Sequence, residues 1–419
     1  LWIGPCPVLM FINPEDVKAV TNAFVEKPYY YNFGRVWLGN GLVTAPVSIW
    51  KRSIKKLAGT FNSAVVDGYQ SVFNAQARKL VDSLRMNAGR EPFDVMHSLA
   101  QTTLEAICQT ALGVPKISEC IVTSEYYEAF NRALELLIRR GLNLMMHPDF
   151  IYKLMPAHTE MDKCISVIHN VSQTVITKRE KEWNEKQTES NRNSSTSDSP
   201  GTKFKSFLDI LLELSESDPT LTADLIKSEV DTIIVGGQET VASTLFFMLL
   251  VLGNRTDVQD KLYAEFEEIF GNSKRSVEKE DLSRMRYCEA VIYETLRLYP
   301  PVPVVMRFAD KELQLRSFVI PQGTGCGINM FGAGRSRRAW GPDVLEYRPE
   351  RWLESDLNQT HAASFLAFSY GRRSCIGKKY AMAILKTVMA HCIRELKFSS
   401  DIRHLKLKID LAMRPVSGH

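Results

Sequence analysis

Phe368-Ser369-Tyr370-Gly371-Arg372-Arg373-Ser374-Cys375-Ile376-Gly377 is the stretch on which the reading of this chain turns. A cysteine placed just ahead of a helix meets free backbone N–H groups and the positive end of the helix dipole, and Arg372 and Arg373 are close by in sequence. All three influences favour thiolate over thiol, and a thiolate is a nucleophile or a metal ligand. Gly371 and Gly377 permit a tight turn and let something flat and bulky approach the backbone on either side of the sulfur. A single cysteine is more often an inert buried hydrophobe. The joint pattern Phe-x-x-Gly-x-Arg-x-Cys-x-Gly sets this one apart.

Working outward, the chain reads as mostly helix. The apolar pattern over 221–253 predicts one long helix, and Thr256-Asp257-Val258-Gln259 then predicts a capping box for a helix with Val258, Leu262 and Phe266 on one face. A further helix is expected over 281–298, closed by Tyr299 ahead of Pro300, and a last one just after Cys375. Strand-like segments are few: Val8 to Ile12, followed by a helix capped by Asn13 with Pro14 first, and the irregular stretch from Pro300 through Ile320. The polar run 187–202 predicts a mobile surface loop.

Composition narrows the class. The 419 residues are 45% hydrophobic and 24% charged, as in globular proteins, and 52 Lys plus Arg against 48 Asp plus Glu leave +4, too little to predict nucleic-acid binding. The eight cysteines are scattered, without a C-x-x-C pair or zinc-like spacing. The longest strongly apolar run, Leu245 to Leu252, is too short to cross a bilayer, and the opening residues carry no signal pattern. The chain starts without Met and enters directly on a strand, which suggests that an N-terminal piece precedes it.

The cysteine motif resembles the haem-binding loop of the cytochrome P450 superfamily, and further matches stand in the family's order. Glu294-Thr295-Leu296-Arg297 is similar to its Glu-x-x-Arg, and Tyr347-Arg348-Pro349-Glu350-Arg351-Trp352 to the segment that brings a second arginine to the same carboxylate. Gly236-Gly237-Gln238-Glu239-Thr240 is similar to its oxygen-binding helix motif, which in the family carries a widened turn. Two successive glycines cost about 1 kcal/mol each in a helix, so room is needed there, for a ligand or for helix packing.

The resemblance covers nearly the whole chain and implies a single, mainly α cytochrome P450 domain over 1–419 with a small β-rich lobe. It implies haem b, with Cys375 as the axial thiolate and Arg373 and Arg307 on the haem propionates. Phe368, Gly371 and Gly377 would shape the loop. Trp50 and Arg52 fall where the family places a tryptophan and a basic residue on the propionates, although Ile54 occupies the usual arginine position. Glu239 and Thr240 would relay protons to dioxygen. The branch looks like the microsomal family 4, insect-type in its detail, with one departure: many members carry a glutamate esterified to haem where this chain has Gly236. Haem is then held without a covalent link apart from Cys375 coordination.

The implied reaction inserts one oxygen atom of O2 into a lipophilic small molecule such as a fatty acid, hormone-like lipid or xenobiotic. The implied partners are NADPH-cytochrome P450 reductase, with cytochrome b5 as accessory donor, and the protein is expected to be a monomer. The expected location is the cytosolic face of the endoplasmic reticulum membrane, through an anchor that this chain lacks. The rival functions are an oxygen-independent haem-thiolate isomerase, a haem sensor without turnover and an inactive fragment.

Overall fold

The computed structural model describes the chain except residues 1, 4–5, 114–123, 193–204, 355–363, 410 and 418–419. Helices predominate and the sheets are small. Contacts group the chain into two compact units: Leu1–Pro28, Phe73–Thr103 and Glu239–His419 form the first, and Tyr29–Val72 and Leu104–Gln238 the second. The helix Ala223–Asn254 contributes to both.

The first unit holds the larger sheet. Cys6–Phe11 runs parallel to Gly325–Asn329, with Val8 opposite Gly325 and Phe11 opposite Ile328, and Val304–Phe308 runs antiparallel on the far side. The helix Pro14–Ala23 begins as the sequence predicts: the Asn13 side chain accepts from Glu15 N at 2.9 Å. Val17 and Val20 then pack with Phe11, Ile320 and Ile328. Burying each such side chain is worth about 1.5 to 3 kcal/mol. A second hairpin pairs Lys406–Ile409 with Met413–Ser417.

Three expectations need correction. The predicted 281–298 helix is two helices, Lys279–Arg284 and Arg286–Leu298, broken at Met285. The break is stabilised from outside, because the Glu265 carboxylate accepts from Tyr287 N at 2.5 Å and Cys288 N at 2.9 Å. The Thr256 capping box does not form: Thr256 is already helical, and Gln259 instead donates to Leu252 O and Phe398 O and accepts from Phe398 N. Residues 187–192 continue the helix Pro156–Arg192 and are not loop; the predicted loop's remaining residues, 193–202, lie outside the described ones.

In the second unit, Ser124–Leu142 packs against Pro156–Arg192, joined by Arg132 on both oxygens of Glu160 at 2.6 and 3.0 Å. Phe207–Ser217 has a true capping box, Ser206 with Asp209, and Arg179 grips Asp209 through two bonds of 2.7 Å. The helix Ala223–Asn254 is long and apolar enough to cross a membrane by length and composition, yet 78% of its apolar window is buried, which fits a core helix.

Candidate active site

The cysteine loop belongs to the first unit and is built by two unusual backbone positions. Ser369 is the one non-glycine residue with positive φ among the described residues, at 59°, and Gly371 follows at φ 75°. A Cβ at Gly371 would stand 2.7 Å from the Thr21 carbonyl oxygen. Gly371 thus allows a close approach to the protein's own helix Pro14–Ala23. A single 3-10 turn, Gly371–Arg373, leads on, and Cys375 N donates to Phe368 O at 2.9 Å. The helix Lys378–Glu395 starts from Gly377, two residues past the cysteine, and a Cβ at Gly377 would lie 3.9 Å from Cys375 Sγ.

Of the six described free cysteines, Cys375 alone is exposed. Protein nonetheless surrounds its sulfur closely enough that burial pushes the thiol up, opposed by a hydrogen bond from the Gly377 backbone and by the Lys378 charge. Lys378 is a cation beside the loop that the sequence reading did not name for the sulfur. A metal ion bound to the sulfur would dominate all of these influences.

Arg373 belongs to a different cluster. Lys27 lies close enough to Arg373 and Arg307 for both to push its ammonium down, after burial, the largest cause. Arg307 is 2% exposed and lies on the strand Val304–Phe308. Three cations crowded in one place fit an anionic ligand with two carboxylates, which is the chemistry of the haem propionates. Lys27 was missed from the sequence; the Glu26-Lys27-Pro28 stretch carries no motif, and only the fold brings it to the arginines.

A buried charge network stands in the same unit. Glu294 accepts from Arg297 Nε and Nη2, both at 2.8 Å, and from Arg351 Nε at 3.0 Å, with all three side chains fully buried. Trp352 Nε1 at 3.0 Å and Arg348 N at 2.8 Å complete the set. Arg297 also donates to the carbonyls of Gly334, Val344 and Glu346. Removing one member would strand buried charge at a cost of about 3 to 5 kcal/mol.

The helix motif divides its two glycines between two jobs. At Gly237 a Cβ would sit 2.6 Å from the Ile107 side chain, so this glycine is a packing notch. At Gly236 a Cβ would meet nothing within 4 Å among the described residues, and the residue is exposed between the part-buried Val235 and Gly237. Four residues on, Thr240 is partly exposed on the same face. The expected widened turn is absent: the helix is α-helical throughout. Glu239 is buried and pairs with Arg414.

In the second unit, the helix Val47–Leu57 buries Trp50 and exposes Arg52. Lys56, on the same helix, is paired with Asp218.

The cytochrome P450 family model matches residues 1–416. Human cytochrome P450 4V2 is 30% identical over 424 residues, covering 100% of this chain and 80% of the relative. Cytochrome P450 4c21 of Blattella germanica is 30% identical over 421 residues, covering 99% of this chain and 83% of the relative. Cytochrome P450 4g15 of Drosophila melanogaster is 29% identical over 483 residues, covering 100% and 84%. Human and insect family 4 proteins match at the same level, so the likeness is to family 4 and not to an insect type in particular. With the cysteine loop, the buried charge network and these matches together, the chain belongs to the cytochrome P450 family, as a family 4-like monooxygenase that binds haem b through a cysteine thiolate.

Proposed function

We propose that Cys375 is the thiolate ligand, that Arg373, Arg307 and Lys27 face the haem propionates, and that Glu239 and Thr240 deliver protons. The observation that carries this reading is the solvent-accessible Cys375 in a loop whose backbone is fixed on one side by Gly371 against Thr21 and on the other by the Lys378–Glu395 helix. Haem, when bound, supplies the iron at which dioxygen is reduced and from which one oxygen atom passes to substrate. The chain's own part is positional. Cys375 donates electron density from a fixed sulfur, and Gly377 N–H and Lys378 offset the charge it carries. The Lys27, Arg307 and Arg373 cations fix the ligand's rotation by binding its carboxylates. Gly236 offers no carboxylate to a haem methyl, which leaves the group extractable.

The substrate is a lipophilic small molecule, and electrons come from NADPH-cytochrome P450 reductase, with cytochrome b5 as accessory donor. A location on the cytosolic face of the endoplasmic reticulum membrane is supported by Leu142, Met145, Phe150 and Leu154, which stand 65 to 85% exposed within one short segment of the second unit. The test is turnover under 18O2 with reductase and NADPH, offering a panel of fatty acids and terpenoid lipids. One labelled oxygen in a product is expected. If lipids that bind and shift the haem spectrum yield no labelled product, the monooxygenase reading of this chain falls.

A further inference from the structure

Glu239 is gripped through one oxygen only. On the helix Ala223–Asn254 it directly precedes Thr240, and it is 5% exposed. Arg414 Nε donates to its Oε1 at 3.0 Å, and Arg414 Nη2 approaches the same oxygen to 2.8 Å without the alignment of a hydrogen bond. The second oxygen, Oε2, is buried and has no hydrogen-bond partner among the described residues. Buried carboxylate oxygens are rarely left that way; a bound water or a part in proton transfer accounts for those that are.

Arg414 is well placed to hold this geometry. It sits on the strand Met413–Ser417 opposite Lys408, and Pro415 follows it and fixes its own φ. The Arg414 side chain is 23% exposed against 6% for that of Glu239, so the guanidinium is the part of the pair that reaches water. A guanidinium does not give up its proton near neutral pH, so it cannot itself be the relay. Its effect on proton movement must be through where it holds the carboxylate.

We propose that Arg414 is a positioning residue for proton delivery: by pinning Oε1 of Glu239, it keeps Oε2 free to take a proton from a water entering alongside the partly exposed Arg414 side chain and to pass it on toward Thr240. The proposal rests on the reading of Glu239 and Thr240 as the relay. The overall balance is fixed. O2, two electrons from NADPH, two protons and a substrate C–H give the hydroxylated product and water, whereas O2, two electrons and two protons without productive delivery give hydrogen peroxide. The relay decides how the electrons divide between these ends.

The experiment uses the haem-loaded protein with NADPH-cytochrome P450 reductase and dodecanoic acid as the probe. It measures hydrogen peroxide released per NADPH oxidised, and the rate of NADPH oxidation in H2O and D2O. Arg414→Leu should raise the peroxide fraction at least threefold and enlarge the solvent isotope effect, Arg414→Lys should recover most of the wild-type partition, and Arg414→Leu should add nothing to Glu239→Gln. A merely structural arginine would show neither the isotope effect nor this non-additivity. If Glu239→Gln raises the peroxide fraction and Arg414→Leu, with its thiolate spectrum intact, does not, the positioning role is wrong and the relay stands. If neither Glu239→Gln nor Thr240→Ala changes the partition, the relay reading itself is wrong, and the proposal with it. Should Arg414→Leu fail to take up haem, Arg414→Gln decides: a raised fraction supports the proposal and a wild-type fraction overturns it.

Discussion

Gly371 shows how one residue fixes the site. Its φ of 75° and the 2.7 Å separation that a Cβ would have from Thr21 O make it a position where only glycine fits without movement. Gly371→Ala should therefore cost on the order of 1 to 3 kcal/mol, visible as a lower thermal midpoint and weaker haem retention. A midpoint within experimental error of wild type would show that the loop tolerates the side chain. At this scale much was legible: a cysteine between two glycines and two arginines is a sequence pattern. What those glycines and arginines touch was not. Gly371 faces a helix more than three hundred residues earlier in the chain, Arg373 joins Lys27 and Arg307, and the Arg414 that holds Glu239 lies in the last strand. Such partners are set by the fold, and local spacing carries no trace of them.

Between elements, the clearest lever is Glu229 on the Ala223–Asn254 helix. It is fully buried, accepts from Leu42 N at 3.0 Å and from the Ser53 side chain, and its carboxyl is pushed up to about 7 by burial, against those two bonds. The folded state thus holds this proton more tightly than the unfolded chain, whose carboxyl titrates near its ordinary value of about 4.3. Stability from this group is present below that value and is lost as pH rises to about 7, a loss on the order of 3 kcal/mol in all. Glu229→Gln should flatten that part of the profile, so that the variant gains on wild type in urea unfolding at pH 8 compared with pH 5. Parallel profiles for the two proteins would contradict the shift. Element boundaries were read best where a cap lay in the sequence itself, as at Asn13. They were misread where the cap came from elsewhere: Glu265 starts a helix at Arg286, and Gln259 turns away from its own helix start to bond Phe398. The Glu294 network was legible because both of its arginines stand in short motifs, and Trp352 adds a donor that neither motif announces.

For the whole molecule, two compact units share one long helix, and the first holds the cysteine loop, the cation cluster, the buried charge network and the Glu239-Thr240 pair. The first unit thus brings together residues from the segment after the first helix, the middle of the chain and the final hairpin, and the family model matches residues 1–416. The central claim is that Cys375 is the thiolate on which everything else is arranged. It is tested most directly by the absorption spectrum of the reduced, carbon monoxide-bound protein, recorded for wild type and Cys375→Ala. The account predicts the red-shifted thiolate band in wild type and its complete loss in the variant; the same band in Cys375→Ala would contradict it.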